Sequence, residues 1–491
     1  MTLAAILQGS IFNMKKLFYL LGCLLLSGIA FAQHEHQNPA PSDTKKKSGK
    51  AAQKKMDDGK MKADSMTMDH SMMNPDMDSS TVPMSHSFSL NLPMNRNGSG
   101  TGWLPDASPM YGYMLHSKKW MYMIHGNIVI RYNNQDVGNK GVRGDTKVDA
   151  PNWFMLMGQR KIGMNGLFHF NTMFSLDAVF GSNGYPLLFQ TGEAYKGKRL
   201  VDRQHPHDLF SELSVAYTQS FTKDIDAFVY FGLPGEPAIG PVAFMHRPSV
   251  MNNPDAALGH HWQDATHITF GVATIGFRYK IFKLDGSLFT GREPNEQRFN
   301  FDKPKFDSYS YRLTANPSRF LSLQVSQAFI KSPEELNPNE DIWRTTASIN
   351  HSLPLTGENQ SLTSVAIWGY NDSGGNHQEN SFTVESNLQL DRLAVYGRYE
   401  YIEKSAAELQ LDKFSDDQIF NINAVTLGLN YTILRKIKTN FSVGAQATLF
   451  KADNMLNPIY GKNPYAAEVY MRISPTLMKM PMMQMSSKSR M

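Results

Sequence analysis

The sequence predicts an all-β protein, a transmembrane antiparallel β-barrel of about sixteen strands with a disordered N-terminal arm. Three observations predict it. Segments of about ten residues alternate apolar and polar side chains. Their connections alternate long and short without a break. Residues after position 32 contain no run approaching the roughly 20 apolar residues that a membrane helix needs.

Residues 1–32 read as an export signal. Lys15 and Lys16 form a basic start, Leu17 to Ile29 an apolar stretch, and Ala30-Phe31-Ala32 a small-residue cleavage site. Translation is expected to begin at Met14, since Met1 to Asn13 would extend an already complete signal. Cys23 follows Leu20-Leu21-Gly22, a loose likeness to a lipoprotein box. The apolar stretch continues beyond it, so ordinary cleavage before Gln33 is expected and removes the only cysteine.

Residues 33–102 are rich in Lys, Ser, Asp, Met, Pro and Asn and poor in aromatics. Such a composition cannot bury enough apolar surface to offset the entropy of ordering, so the arm is expected to be disordered. It also carries the lysines behind much of the net charge of +5. No folded basic face interleaved with aromatics is legible, which excludes nucleic acid as a partner.

The barrel is expected over residues 103–475. From Trp120 one face carries Trp120, Tyr122, Ile124, Gly126, Ile128, Ile130 and Tyr132, and the other Met121, Met123, His125, Asn127, Val129 and Arg131. The same period recurs at 152–162, 166–180, 211–221, 226–233, 267–280, 283–291, 308–316 and 319–331. It continues at 343–353, 361–371, 380–390, 392–404, 421–432, 437–451 and 465–475. Apolar-out, polar-in strands joined by short turns at one end and long loops at the other are how outer-membrane barrels are wired. An even strand number puts both termini at the short-turn, periplasmic end. The inward set Arg131, Arg344, Arg398, Glu400, Glu468 and Arg472 has no prevailing sign, suggesting a paired wall rather than a charge-selective ring.

Two groups of residues have ligand chemistry. In the arm, Met66, Met68, His70, Met72, Met73 and Met77 lie close together, and Met480, Met482, Met483 and Met485 follow in the 476–491 tail. Thioethers are soft ligands that select Cu(I) or Ag(I), and short spacing in a flexible chain lets several reach one ion. The alternative is drift in an unconstrained linker. His34-Glu35-His36 adds a weak site for a divalent ion. In the loops, His205, His207, Asp208, His246, His260 and His261, with His267 nearby, could converge on a metal. They equally suit an inward-folded loop hydrogen-bonded to the wall, which is the reading the sequence favours.

The phrases Gly192-Glu193, Leu200-Val201-Asp202-Arg203-Gln204-His205-Pro206-His207-Asp208 and Gly235-Glu236-Pro237-Ala238 carry a resemblance. So do Ala243-Phe244-Met245-His246-Arg247, Gly259-His260-His261-Trp262-Gln263-Asp264 and Gly291-Arg292-Glu293-Pro294. Over 103–349 the chain resembles a family of uncharacterised bacterial outer-membrane barrels associated with heavy-metal resistance loci. The resemblance implies an outer-membrane location, outer-membrane lipid as surroundings and metal-efflux components as partners. The combined expectation is a non-enzymatic, porin-like barrel whose periplasmic tails handle copper or silver and which requires no cofactor. The alternatives are a diffusion porin with inert tails, and a rim hydrolase using Asp202, His205, His207, Asp208, His260 and Asp264.

Overall fold

The computed structural model describes residues 85–478, except 139 and 375–377. The signal segment, most of the arm and the tail methionines Met480 to Met485 lie outside the described residues. Among the described residues no helix is long and apolar enough to cross a membrane.

Sixteen spanning strands form a closed barrel. They are β1 (Met121–Asn134), β2 (Asn152–Ile162), β3 (Gly166–Phe174), β4 (Phe210–Thr222), β5 (Ile225–Gly232), β6 (Val272–Tyr279), β7 (Phe282–Phe289) and β8 (Ser308–Ser318). The circuit continues with β9 (Leu321–Ile330), β10 (Ile342–Pro354), β11 (Gln360–Asp372), β12 (Gln378–Leu390), β13 (Leu393–Ser405), β14 (Ile419–Lys436), β15 (Thr439–Ala452) and β16 (Tyr465–Pro475). Every neighbour is antiparallel, and β16 closes on β1 from Ala467 opposite Asn134 to Ile473 opposite Ile128. A short strand, Tyr113–His116, continues that seam along the start of β1.

The wall is inside-out relative to a soluble protein. On β14, Leu427 is 66% exposed while its neighbour Thr426 is 1% exposed, and Val425 and Leu429 repeat the pattern against buried Asn430. An outward apolar band of this kind fits hydrocarbon. The inward polar faces are buried because the lumen is filled, in three tiers.

At the short-turn end lies the segment 85–112. It bonds to several strands of the wall: Ser89 Oγ donates to Asp226 of β5 at 2.6 Å, and Thr101 Oγ1 to Asp285 of β7 at 2.5 Å. The Ser108 and Ser352 hydroxyls meet at 3.0 Å. The middle is filled by the third loop, residues 233–271. Its Arg247 bonds to Glu385 on β12 at 2.7 Å. Its Asp255 pairs with Arg131 of β1 at 2.5 Å, and its Asn252 carbonyl accepts from Tyr470 of β16 at 2.7 Å. At the long-loop end the second loop contributes the hairpin Tyr185–Tyr195 with Lys198–Gln204. Its Leu187, Leu188 and Phe189 pack with Trp262, Phe420, Phe450 and Tyr460.

Residues 85–102, assigned to the arm on composition, are therefore seated in the lumen. Their backbone and hydroxyls satisfy the barrel's inward polar groups, and Phe88 and Met94 add buried apolar anchors against the wall. Two strands are also shorter than the alternation suggests. The segment 166–180 ends as a strand at Phe174, because Asp177 begins a short helix and its carboxylate accepts from the Asn152 amide at 2.9 Å. The segment 267–280 starts only at Val272, since residues 265–267 belong to a helical turn of the third loop.

Glu236 ties the two lower tiers together. Its carboxylate accepts from Ser99 Oγ at 3.0 Å. Burial pushes this carboxyl up to about 8, against the pull of Arg312. The folded state therefore retains a proton that the unfolded chain releases near 4.5. Stability from this group is fully present below about 4.5 and is lost as pH rises toward about 8. Urea unfolding at pH 5 and pH 8.5 should show wild type losing more stability than Glu236→Gln, by at most ~1.4 kcal/mol per pH unit. Equal pH slopes in the two proteins would contradict it.

Candidate metal centre

The second and third loops meet near the long-loop end of the lumen and bring five histidines together. Pro206, with its fixed φ, sits between His205 and His207. The one-turn helix His260–Gln263 supplies His260 and His261. One ring nitrogen from each of His205, His260 and His261 lies within 4.8 Å of the others. All three residues are buried.

Carboxylates orient this set. His260 Nδ1 faces Asp264 Oδ1 at 2.6 Å, and His261 Nδ1 faces Glu293 Oε1 at 3.1 Å. That leaves Nε2 of both rings to the centre, the orientation that second-shell carboxylates impose on metal-binding histidines. His205 stands 3.4 Å from Glu193 on one side and 3.4 Å from His261 Nε2 on the other. Burial, then His261 and His260, hold the His205 imidazole well below its ordinary value, so it is neutral and a lone-pair donor. Burial opposes the charge on His261 too, but Glu293 and Glu193 outweigh it and raise that ring. Glu193 is itself pushed up to about 7 by burial, against the neighbouring Arg298.

Gly192 makes room for this packing. Its φ is +114°, and a Cβ there would come 2.1 Å from His261 Nε2. A substitution would be strained in backbone and would displace the ring.

The remaining sequence-predicted residues take other positions. His207 is one layer back, its Nδ1 2.7 Å from Asp177 and its ring 5.4 Å from His267. Nε2 of both His207 and His267 is buried without a hydrogen-bond partner. Asp208 pairs with Arg298 at 3.2 Å and does not join the centre. His246 stands apart from the cluster, with its ring 5.7 Å from His125 and 4.9 Å from Trp153. Burial lowers its imidazole to about 4. Glu193, Glu293 and Arg298 were not among the predicted ligands. The signal was present, because Gly192-Glu193 and Gly291-Arg292-Glu293 are two of the phrases that carry the family resemblance. Asp202, proposed for a hydrolase, instead accepts from the Phe189 amide at 2.7 Å. Among the described residues no serine or threonine hydroxyl hydrogen-bonds to His205, His207 or His260.

Above the cluster lies a cavity of about 1160 Å³ reached by His261. Nine carboxylates line it, among them Glu293, Glu334, Glu408 and Asp412, against only Arg199 and Arg344. Burial and Glu408 push the Glu334 carboxyl well above its usual range, a crowding that a cation would relieve. A low-dielectric hollow of one sign concentrates ions of the other.

No family model and no curated protein matches the chain. Among solved structures it is similar to Salmonella typhi OmpF in complex with daunomycin, at 10% identity and a TM-score of 0.46, over 74% of this chain and 100% of that one. It is similar to the anion-selective porin of Comamonas acidovorans at 12% identity and TM-score 0.42, over 73% of this chain and 99% of that one. The outer membrane channel DcaP of Acinetobacter baumannii matches at 9% identity and TM-score 0.39, over 74% of this chain and 100% of that one.

Proposed function

We propose that this chain is a porin-like barrel of the bacterial outer membrane that handles metal cations, copper and silver among them, and that both its termini are periplasmic. The observation that supports this best is the acidic vestibule with His261 at its floor. Cations entering from the long-loop side meet carboxylates first and imidazoles second. Imidazole suits borderline divalent ions such as Zn(II) and Cu(II), and the carboxylate-held His260 and His261 are already oriented for one. The filled lumen favours this over free diffusion of bulky solutes, because Arg131 and Arg398 of the wall are engaged by the third loop, whose own Arg247 bonds to Glu385 of the wall. The methionine-rich tails, residues 56–84 and 479–491, would extend the same handling to Cu(I) and Ag(I) on the periplasmic side, where metal-efflux components are natural partners.

Titration of the detergent-solubilised full chain with Zn(II), under a competing chelator, tests the centre. His260→Ala/His261→Ala is expected to weaken one site at least tenfold while the weak His34-Glu35-His36 site persists. Identical isotherms for the two proteins would remove the centre as a metal site.

A further inference from the structure

One sector of the lumen wall is not polar. Alternation turns Met121, Met123 and His125 of β1 inward. The register sets Met157 of β2 opposite Met123, and Met155 opposite His125. On β3, Met173 stands opposite Met155. Directly paired residues on one face have Cβ atoms about 4.5–5.5 Å apart, so these thioethers form a continuous patch. Onto it pack Met94 and Met110 from the inner segment, Met245 from the third loop and Met478 from beyond β16.

The composition of this cluster is unlike that of the other interior clusters. Its fully buried members are Met94, Met123, Met155, Met157 and Met173, whereas the others contain no buried Met and are built from Leu, Ile, Val, Phe, Ala, Tyr and Trp. A core selected only for packing uses methionine sparingly. Beside the patch is a cavity of about 120 Å³; Met110, Met123, Met155, Met157 and Met245 with His125 and His246 line one part of it, and polar groups including Arg247 and Arg472 line another. At roughly 30 Å³ per water, it has room for one ion and residual solvent. His125 Nε2 is buried and without a hydrogen-bond partner. Apolar packing explains neither that stranded nitrogen nor the exclusive use of thioethers.

We propose that this pocket binds a soft monovalent d10 metal ion, Cu(I) or Ag(I), through the sulfurs of Met123, Met155 and Met157 and an imidazole of His125 or His246. Thioether and neutral imidazole donors favour such ions over Zn(II) or Ca(II). The site is separate from the histidine centre in donors and in strands, and rests on the metal-handling reading only for its cargo in the cell. Its ligand chemistry matches that of the tails, whose methionine runs adjoin Met94 and Met478.

The test uses the full chain in detergent with Met56, Met61, Met66, Met68, Met72, Met73, Met77, Met84, Met480, Met482, Met483, Met485 and Met491 changed to Leu, so that the tail thioethers are removed. Titration with Ag(I) is expected to show one tight site per chain. Adding Met155→Leu/Met157→Leu, a nearly volume-conserving change, should weaken it at least thirtyfold while leaving Zn(II) binding unchanged. Retained Zn(II) binding also reports that the double variant has folded. As a second readout, silver X-ray absorption of the tail-substituted protein should show sulfur neighbours. The proposal is overturned by absence of tight Ag(I) binding in the tail-substituted protein, by unchanged affinity in the double variant, or by a spectrum with only nitrogen and oxygen neighbours. Ag(I) passage across vesicles containing the protein separates the two readings. A filled pocket without passage leaves the site standing and removes the transport role, and passage without a filled pocket does the reverse.

Discussion

Arg247→Ala is expected to raise the single-channel conductance of the barrel several-fold in a planar bilayer. Arg247 is the central tie of the third loop. Its guanidinium donates to Glu385 Oε1 at 2.7 Å, Asp264 Oδ2 at 2.8 Å and the Val242 carbonyl at 3.0 Å, and its side chain is fully buried. Removing one member of a buried, hydrogen-bonded charge set leaves the others uncompensated and costs about 3–5 kcal/mol. Here the abandoned groups are Glu385 on the wall and Asp264 on the loop, so the penalty falls on the contact that holds the loop inside. Water entering to solvate them would open the lumen. Asp264 also orients His260, so the same variant should weaken Zn(II) binding. Arg247→Lys keeps the charge but loses the fork, and should fall between the two proteins. Conductance unchanged by Arg247→Ala would show that the third loop is not what closes the lumen.

Arg131→Met is expected to cause the largest loss of stability among single changes, about 3–5 kcal/mol by the same argument. Its guanidinium lies 2.5 Å from Asp149, 2.5 Å from Asp255 and 3.1 Å from Glu468, with the Arg131 side chain fully buried. These partners come from the strand-like stretch after β1, from the third loop and from β16. One cation therefore joins the plug to the barrel's closing seam. Urea unfolding of the refolded barrel in detergent measures the loss. Adding Asp255→Asn to the variant should recover part of it by deleting one stranded charge. A single variant as stable as wild type would show that water reaches these groups and that the pairing is of little consequence.

The wall was legible because hydrocarbon outside and polar groups inside impose a period of two on every strand, whatever else the protein does. That is why β1, β10 and β15 can be read from residues such as Trp343, Thr345 and Ala347 alone. The contents of the lumen follow no local rule. Arg247 finds Glu385, 138 residues away, and Ser89 finds Asp226 at a separation of 137. Nothing in the neighbourhood of either residue foretells its partner. The composition of 85–102 pointed to disorder because those residues are ordered by distant partners on the wall, through hydrogen bonds and the two apolar anchors Phe88 and Met94. The histidine centre was half legible. His205, His260 and His261 could be named from their residue types, but His246 could not be separated from them until the third loop was traced. Met121 and Met123 were visible as apolar residues on an inward face, whereas their continuation through Met155, Met157 and Met173 needed the strand register.

The segment 85–112 has a bearing on biogenesis. It leads directly into Tyr113–His116 and β1, the strands that form the seam with β16, and it lies within the barrel that this seam closes. A hydrogen-bonded wall offers no side entrance once zipped. The segment therefore reaches its place either before the first and last strands meet or through the short-turn mouth, and in both cases its contacts to β5, β7 and β10 brace the closed wall from within.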